Sequence, residues 1–147
     1  MLLLVGAVAC GSDNDVVGES PGAWRNGAMM PDGRSEMPAA VVNDLIYVPG
    51  GFGGQATVEV YDPAADTWQE VASLPEGRHH LMAVGHNGRV YAFGGGQGFN
   101  FRAHNNAWVY EPDTDEWQDI APLPEARMSG AAVSLGDYIY LVGGTGG

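Results

Sequence analysis

The chain has 147 residues, with six basic against 18 acidic side chains and a net charge of −12 at neutral pH. A surface of that sign repels phosphate backbones and anionic lipid headgroups, which argues against nucleic acid as a partner. A single Cys excludes an internal disulfide framework, while 23 Gly and 9 Pro in a chain 45% apolar suit many short strands joined by tight turns.

Met1 to Ala9 is apolar and leads through Ala7-Val8-Ala9 to Cys10, with Gly11-Ser12-Asp13 following. Nine residues are too few to span a bilayer but fit the end of a secretory apolar core ahead of small residues. The pattern is similar to a bacterial lipoprotein signal, in which the Cys becomes the lipidated first residue. It departs from that signal in lacking a basic leading region and in having Ala7 where Leu is usual. A chain that starts part-way through a signal accounts for the first departure. Residues 1–22 are therefore expected to be a signal remnant and a flexible Gly/Ser/Asp tether. The protein is then exported to the periplasm, outer membrane or cell surface, touching the membrane only through lipid at Cys10. The alternative is a chance apolar start with an inert Cys.

From Trp24 onward the chain reads as short strands. Trp24 to Met29 is expected to be the last strand of an incomplete first unit, and Pro31-Asp32-Gly33-Arg34 a turn. Apolar runs at 38–42 and 45–49 flank Asn43-Asp44, a two-residue hairpin turn favouring positive φ. Gly50-Gly51 closes it. Val58-Glu59-Val60-Tyr61 alternates as a half-buried strand does. The connection Asp62-Pro63-Ala64-Ala65-Asp66 has Pro63 to preset φ and two Asp side chains to accept backbone N–H groups. A strand at 67–71 with Trp68 follows, then Leu74-Pro75 and Glu76-Gly77-Arg78, before the cycle restarts at 80–85.

The restart is a true repeat. Tyr61, Trp68, Pro75, Arg78, Tyr91 and Gly94-Gly95 return in order as Tyr110, Trp117, Pro124, Arg127, Tyr140 and Gly143-Gly144. A partial copy with Trp24, Pro31, Arg34, Tyr47 and Gly50-Gly51 precedes them. Trp to Pro spans 7 residues and Arg to the first Gly spans 16 in every copy, while successive Trp positions step by 44 and then 49. A period of this size marks a repeat architecture. The excess of 5 lies within 96–108, because Gly50 to Tyr61 is 11 residues and Gly94 to Tyr110 is 16.

These residues resemble kelch repeats, each of which forms one four-stranded antiparallel blade of a β-propeller. The resemblance covers residues 24–147 and implies an all-β propeller segment over 23–147, with repeats at 34–78, 79–127 and, in part, 128–147. In that frame Gly50, Gly51, Gly94, Gly95, Gly143 and Gly144 serve as strand-end turns. Tyr61 with Trp68, and Tyr110 with Trp117, serve as core cross-strand pairs. About three blades cannot close a ring that normally takes four to eight. The expectation is a fragment of a longer propeller, or a piece that assembles.

The resemblance also places a site. Arg34, Arg78 and Arg127, three of the six basic residues, fall at positions similar to the channel-mouth arginines of kelch domains that bind acidic peptides. They are expected to form a small cationic ring for carboxylates; the alternative is that each caps local carbonyls or pairs with a nearby carboxylate. The insertion brings Phe99, Phe101, Arg102 and His104 to the same face, as an extension of the ligand surface or as a loop tucked over the channel edge.

Catalysis has little support. His79 and His80 are adjacent and would point to opposite faces of a strand, so they are expected not to share a site. His86 sits at a hairpin turn, Ser129 lacks evident partners, and no His/Cys spacing suggests a metal. No cofactor is expected. The function expected is a binding module that recognises a protein or carbohydrate at the cell envelope. The alternatives are a kelch-type sugar enzyme, similar to a sialic acid mutarotase or galactose oxidase, and a purely structural surface propeller.

Overall fold

The structure is a computed structural model and describes residues 24–53, 55–99 and 101–146. The signal remnant, the tether and Cys10 lie outside the described residues, as does Gly147.

The described chain is built of β-strands joined by turns, with no helix. Strands β1 (Ala40–Val42), β2 (Leu45–Pro49), β3 (Val58–Asp62) and β4 (Thr67–Val71) pair in chain order as one antiparallel sheet. The second sheet is β5 (Met82–His86), β6 (Arg89–Phe93), β9 (Ala107–Glu111) and β10 (Glu116–Asp119), also in chain order. Between β6 and β9 a small hairpin is interposed, β7 (Gly96–Gln97) with β8 (Arg102–Ala103). A third unit contributes the long hairpin β11 (Met128–Leu135) and β12 (Tyr138–Thr145). The first two sheets are the four-stranded antiparallel blades of a propeller segment, as expected.

Turn chemistry sets the register. Asn43 and Asp44 both take positive φ, at 51° and 63°, as the tightest hairpins require. Asn87-Gly88 repeats this at 49° and 76°, and Gly136 supplies 58° at the third turn. Tyr61 lies directly across from Trp68, and Tyr110 from Trp117, with ring centroids 4.9 and 5.2 Å apart. The two Tyr are buried and the two Trp half-buried.

The core lies between blades rather than within one. Ala40, Val42, Tyr47 and Val60 of the first blade pack against Ala83, Val90 and Tyr110 of the second. Met82, Phe93 and Ala107 of the second pack against Ala132, Ile139 and Leu141 of the third unit. Strands buried on both faces result: in β9, Ala107 to Tyr110 are all buried.

The Gly doublets stitch one blade to the next. The Gly51 N–H donates to the Arg78 carbonyl at 2.8 Å, and the Gly95 N–H donates to the Arg127 carbonyl at 2.9 Å. Gly94 has φ +60°, and a Cβ built on it would strike the Arg127 carbonyl oxygen. Only glycine meets both demands.

Residues 24–29 depart from the expected strand. They include one bridge residue, Arg25, and no named strand. Their bonds run to the first blade instead: the Trp68 indole N–H donates to the Ala28 carbonyl at 2.8 Å, and the Ala28 N–H donates to Asp66 Oδ1 at 2.6 Å.

Candidate functional site

The repeat brings equivalent residues together where the innermost strands begin. Glu36, His80 and Ser129 each stand two positions after the repeat Arg, and all three take positive φ, at 58°, 52° and 60°. The His80 N–H donates to the Glu36 carbonyl at 2.8 Å, and the Ser129 N–H donates to the His80 carbonyl at 2.9 Å. Three successive units are thus joined through their backbones at this point.

The kink at His80 overturns the expectation that His79 and His80 cannot share a site. Strand β5 starts only at Met82, so alternation does not govern residues 79 and 80. With His80 in the left-handed region, its ring swings onto the His79 side. The two Nδ1 atoms lie 2.7 Å apart, and His80 Nδ1 lies 3.1 Å from a Glu36 carboxylate oxygen. His79 is fully buried, with Nε2 2.7 Å from the Gly98 carbonyl oxygen.

An aromatic layer covers this triad. Phe52 stacks on His79 at 4.2 Å and 18°. Phe101 lies edge-on to both imidazoles, at 5.2 and 5.4 Å, and Phe99 stacks on Phe52 at 6.2 Å. Phe99 and Phe101 come from the inserted segment. Its place is fixed by matching bonds: the Arg78 N–H donates to the Gln55 carbonyl, and the Arg127 N–H to that of His104. Gln55 stands four residues after Gly51 and His104 nine after Gly95, so the five added residues are those folded into the β7–β8 hairpin. At its base Gly96 and His79 exchange both backbone bonds, at 2.8 and 3.0 Å. A Cβ at Gly96 would lie 2.6 Å from His79 Cε1, so its absence makes room for the imidazole.

The arginines behave differently from the expected cationic ring. The Arg34 side chain is 0% exposed, 2.7 Å from Glu59 and donating to the Val48 carbonyl at 3.0 Å. Arg78 is buried too: it pairs with Glu76, donates to the Gly77 carbonyl and Asn106 Oδ1, and lies 5.5 Å from the Trp108 ring. The terminal nitrogens of both buried guanidinium groups are engaged by carboxylates and carbonyls, so neither side chain is exposed to a ligand. Arg127 is partly exposed and donates to the Gly143 carbonyl at 2.6 Å.

Of the insertion residues named from sequence, Phe99 and Phe101 join the aromatic layer. Arg102 is exposed on β8. His104 makes none of these ring contacts; burial first, then the positive charges of Arg78 and Arg102, hold its pKa below the ordinary value. Sequence reasoning missed Phe52 and Glu36. The register held the signal for Glu36, since it shares the Arg-plus-two position with His80.

Blades of four antiparallel strands, packed face to face at a period of 44 to 49 residues, define a segment of a β-propeller. Residues 22–144 match the model of the KLHDC2/KLHL20/DRC7 kelch-repeats domain, and the chain belongs to the kelch-repeat family. Among the curated proteins nothing matches. Among solved structures the chain resembles the one titled "Structure of YjhT", with a TM-score of 0.67 and 22% identity over 78% of this chain. The chain spans 35% of that one, and the likeness is one of fold.

Proposed function

We propose that this chain is part of a kelch propeller that works as a binding module, taking a protein or carbohydrate ligand on the layer formed by Phe52, Phe99 and Phe101. The observation that carries this reading is the exposure of the inserted aromatics: Phe99 is 89% exposed and Phe101 43% exposed, beside the buried His79 imidazole. Exposed rings on a scaffold of paired strands lose little conformational entropy on binding, and their faces suit sugar C–H groups or apolar peptide side chains. The acid-sugar enzyme reading drew on three free arginines, of which Arg34 and Arg78 are buried and paired.

The test is a glycan and protein-ligand screen of the parent protein, followed by titration of a hit with wild type and with Phe99→Ala/Phe101→Ala. Saturable binding weakened about tenfold or more by the double substitution, at unchanged thermal stability, is the expected result. Equal affinity in the two proteins overturns it.

Export and lipidation at Cys10 belong to the same proposal, supported by the apolar run Met1 to Ala9 that ends in Cys10. Labelled fatty acid should enter the wild-type protein and be lost in Cys10→Ser. Equal labelling, or none in the native host, removes the anchor from the proposal.

A further inference from the structure

We propose that Glu36, His79 and His80 form a binding site for a first-row divalent metal ion, with zinc the best match. This goes beyond the ligand reading above and does not depend on it.

The donor atoms converge. One ligand atom from each of Glu36, His79 and His80 lies within 4.8 Å of the other two, and the two closest approaches run through His80 Nδ1, to His79 Nδ1 and to a Glu36 carboxylate oxygen. A tetrahedral ion with metal–donor distances of about 2.1 Å holds its donors roughly 3.4 Å apart. The observed separations of 2.7 Å between the two Nδ1 atoms and 3.1 Å from His80 to Glu36 therefore need only a small opening of the rings.

The tautomer is set by chemistry. A carbonyl oxygen can only accept, so the 2.7 Å contact to the Gly98 carbonyl requires His79 Nε2 to carry the proton. Its Nδ1 then presents a lone pair toward His80. An imidazole anchored by N–H to a backbone carbonyl is the arrangement that orients metal-binding histidines and makes them better donors. Two facing Nδ1 atoms need something shared between them, either one proton or one cation. A single proton on His80 cannot point squarely at both His79 and Glu36.

The site is also held in place before any ion arrives. The His79 backbone is bonded both ways to Gly96, its ring is stacked on Phe52, and the His80 N–H is tied to the Glu36 carbonyl. Two imidazoles and one carboxylate suit zinc, or cobalt, nickel and iron in their divalent states. Calcium and magnesium prefer all-oxygen sets. Three protein donors leave a coordination position for water or a ligand group, next to the exposed phenylalanines.

The test uses the untagged protein, stripped with a chelator. Zinc binding is followed by calorimetry and cobalt binding by visible absorption, in wild type, His80→Ala and Glu36→Gln. These two positions are partly exposed, with side-chain exposures of 21% and 37%, so the variants test the site without emptying a buried position as His79→Ala would. One zinc per chain should bind with micromolar or tighter affinity, and cobalt should show the intense bands of a low-coordinate site. Each substitution should weaken zinc binding about tenfold or more, with magnesium and calcium failing to compete. Absence of stoichiometric binding overturns the proposal and leaves a shared proton between the histidines. Unchanged affinity in both variants overturns it too, by placing the ion at another histidine. Loss in His80→Ala with full retention in Glu36→Gln overturns the three-donor site.

Discussion

Asp115 bonds across the seam between blades: its Oδ1 accepts the Ala72 N–H at 2.7 Å, while also accepting the Tyr110 hydroxyl at 2.7 Å. The Trp117 indole donates to the Ala72 carbonyl at 2.8 Å, so both backbone groups of one residue are taken by the following blade. Asp66, Tyr61 and Trp68 hold Ala28 in the same way. The Tyr/Trp pair of the repeat is thus a clamp on the preceding unit as well as core.

The clamp has an acid limb. Asp115 is held below its ordinary pKa of 3.8, chiefly by the Ala72 N–H and then by the Tyr110 hydroxyl. Asp66 is held low by the Tyr61 hydroxyl and then by the Ala28 N–H. A depressed folded pKa contributes stability that is present above the unfolded value and lost as pH falls through the folded one. The urea midpoint of the wild type should therefore drop as pH is lowered from 5 through about 3. Asp66→Asn/Asp115→Asn should start lower at pH 5 and fall less steeply. Parallel slopes in the two proteins would remove the clamp carboxylates from the acid response.

An alkaline limb follows from the same bonds. Burial first, and then the bond to Asp66, push the Tyr61 pKa up to about 12. Tyr110 is raised likewise, by burial and by Asp115. Folding then favours the neutral phenols, and the stability they contribute is intact below pH 10 and lost as pH climbs towards the folded values. Tyrosinate absorbance should show these phenols ionising late and together with unfolding. In Tyr61→Phe one late phenol should be missing; six ordinary titrations in the wild type would contradict the buried geometry.

Trp117→Phe keeps an aromatic ring but removes the indole donor, leaving the Ala72 carbonyl without that bond. The expected cost is about 1 kcal/mol in chemical denaturation. A loss of 3 kcal/mol or more, set against that roughly 1 kcal/mol bond, would mean that ring packing rather than the hydrogen bond dominates.

Gly94 and Gly88 separate two reasons for glycine. Both have positive φ, at 60° and 76°, but an added Cβ at Gly88 meets nothing within 4 Å, whereas at Gly94 it meets the Arg127 carbonyl. Gly88→Ala should cost about 1 kcal/mol, the backbone penalty alone. Gly94→Ala should cost clearly more, because the bond between blades must give as well. Equal midpoints for the two variants would deny the doublet its role as a stitch.

Strand order and the Tyr61/Trp68 and Tyr110/Trp117 pairs were legible because a repeat states each relationship more than once, and a ladder turns fixed spacing into fixed partners. The site was less so. His79 and His80 read as opposite-facing because alternation presumes extended backbone, and nothing local announces positive φ at a histidine. Asp66 and Asp115 looked complete as turn residues, since a further partner of each, Ala28 or Ala72, lies 38 or 43 residues away in sequence. Arg34 and Arg78 stayed open between a cationic ring and local pairing because groups they meet, Glu59 and Trp108, lie on strands 25 and 30 residues away in sequence. The insertion was visible as a spacing excess, and its two Phe fold into the layer over the histidines. The histidines they cover were not.

Burial makes Arg34 and Arg127 separable by experiment. Arg34 and Glu59 have side chains 0% and 4% exposed, so Arg34→Met strands a buried carboxylate. Breaking such a pair from one side costs about 3–5 kcal/mol. Arg127 has a side chain 36% exposed and lies 3.8 Å from a Glu125 that is itself 81% exposed. Solvent screens that pair, and Arg127→Met should cost about 1 kcal/mol or less. Arg34→Met/Glu59→Leu should recover much of the loss, because a matched apolar pair removes the unpaired charge. Denaturation midpoints of the four proteins decide the matter. Large, unrescued losses at both positions would point to backbone capping, with Val48 and Gly143 as the carbonyls left bare. Small losses at both would return Arg34 to the pool of residues free to meet a ligand.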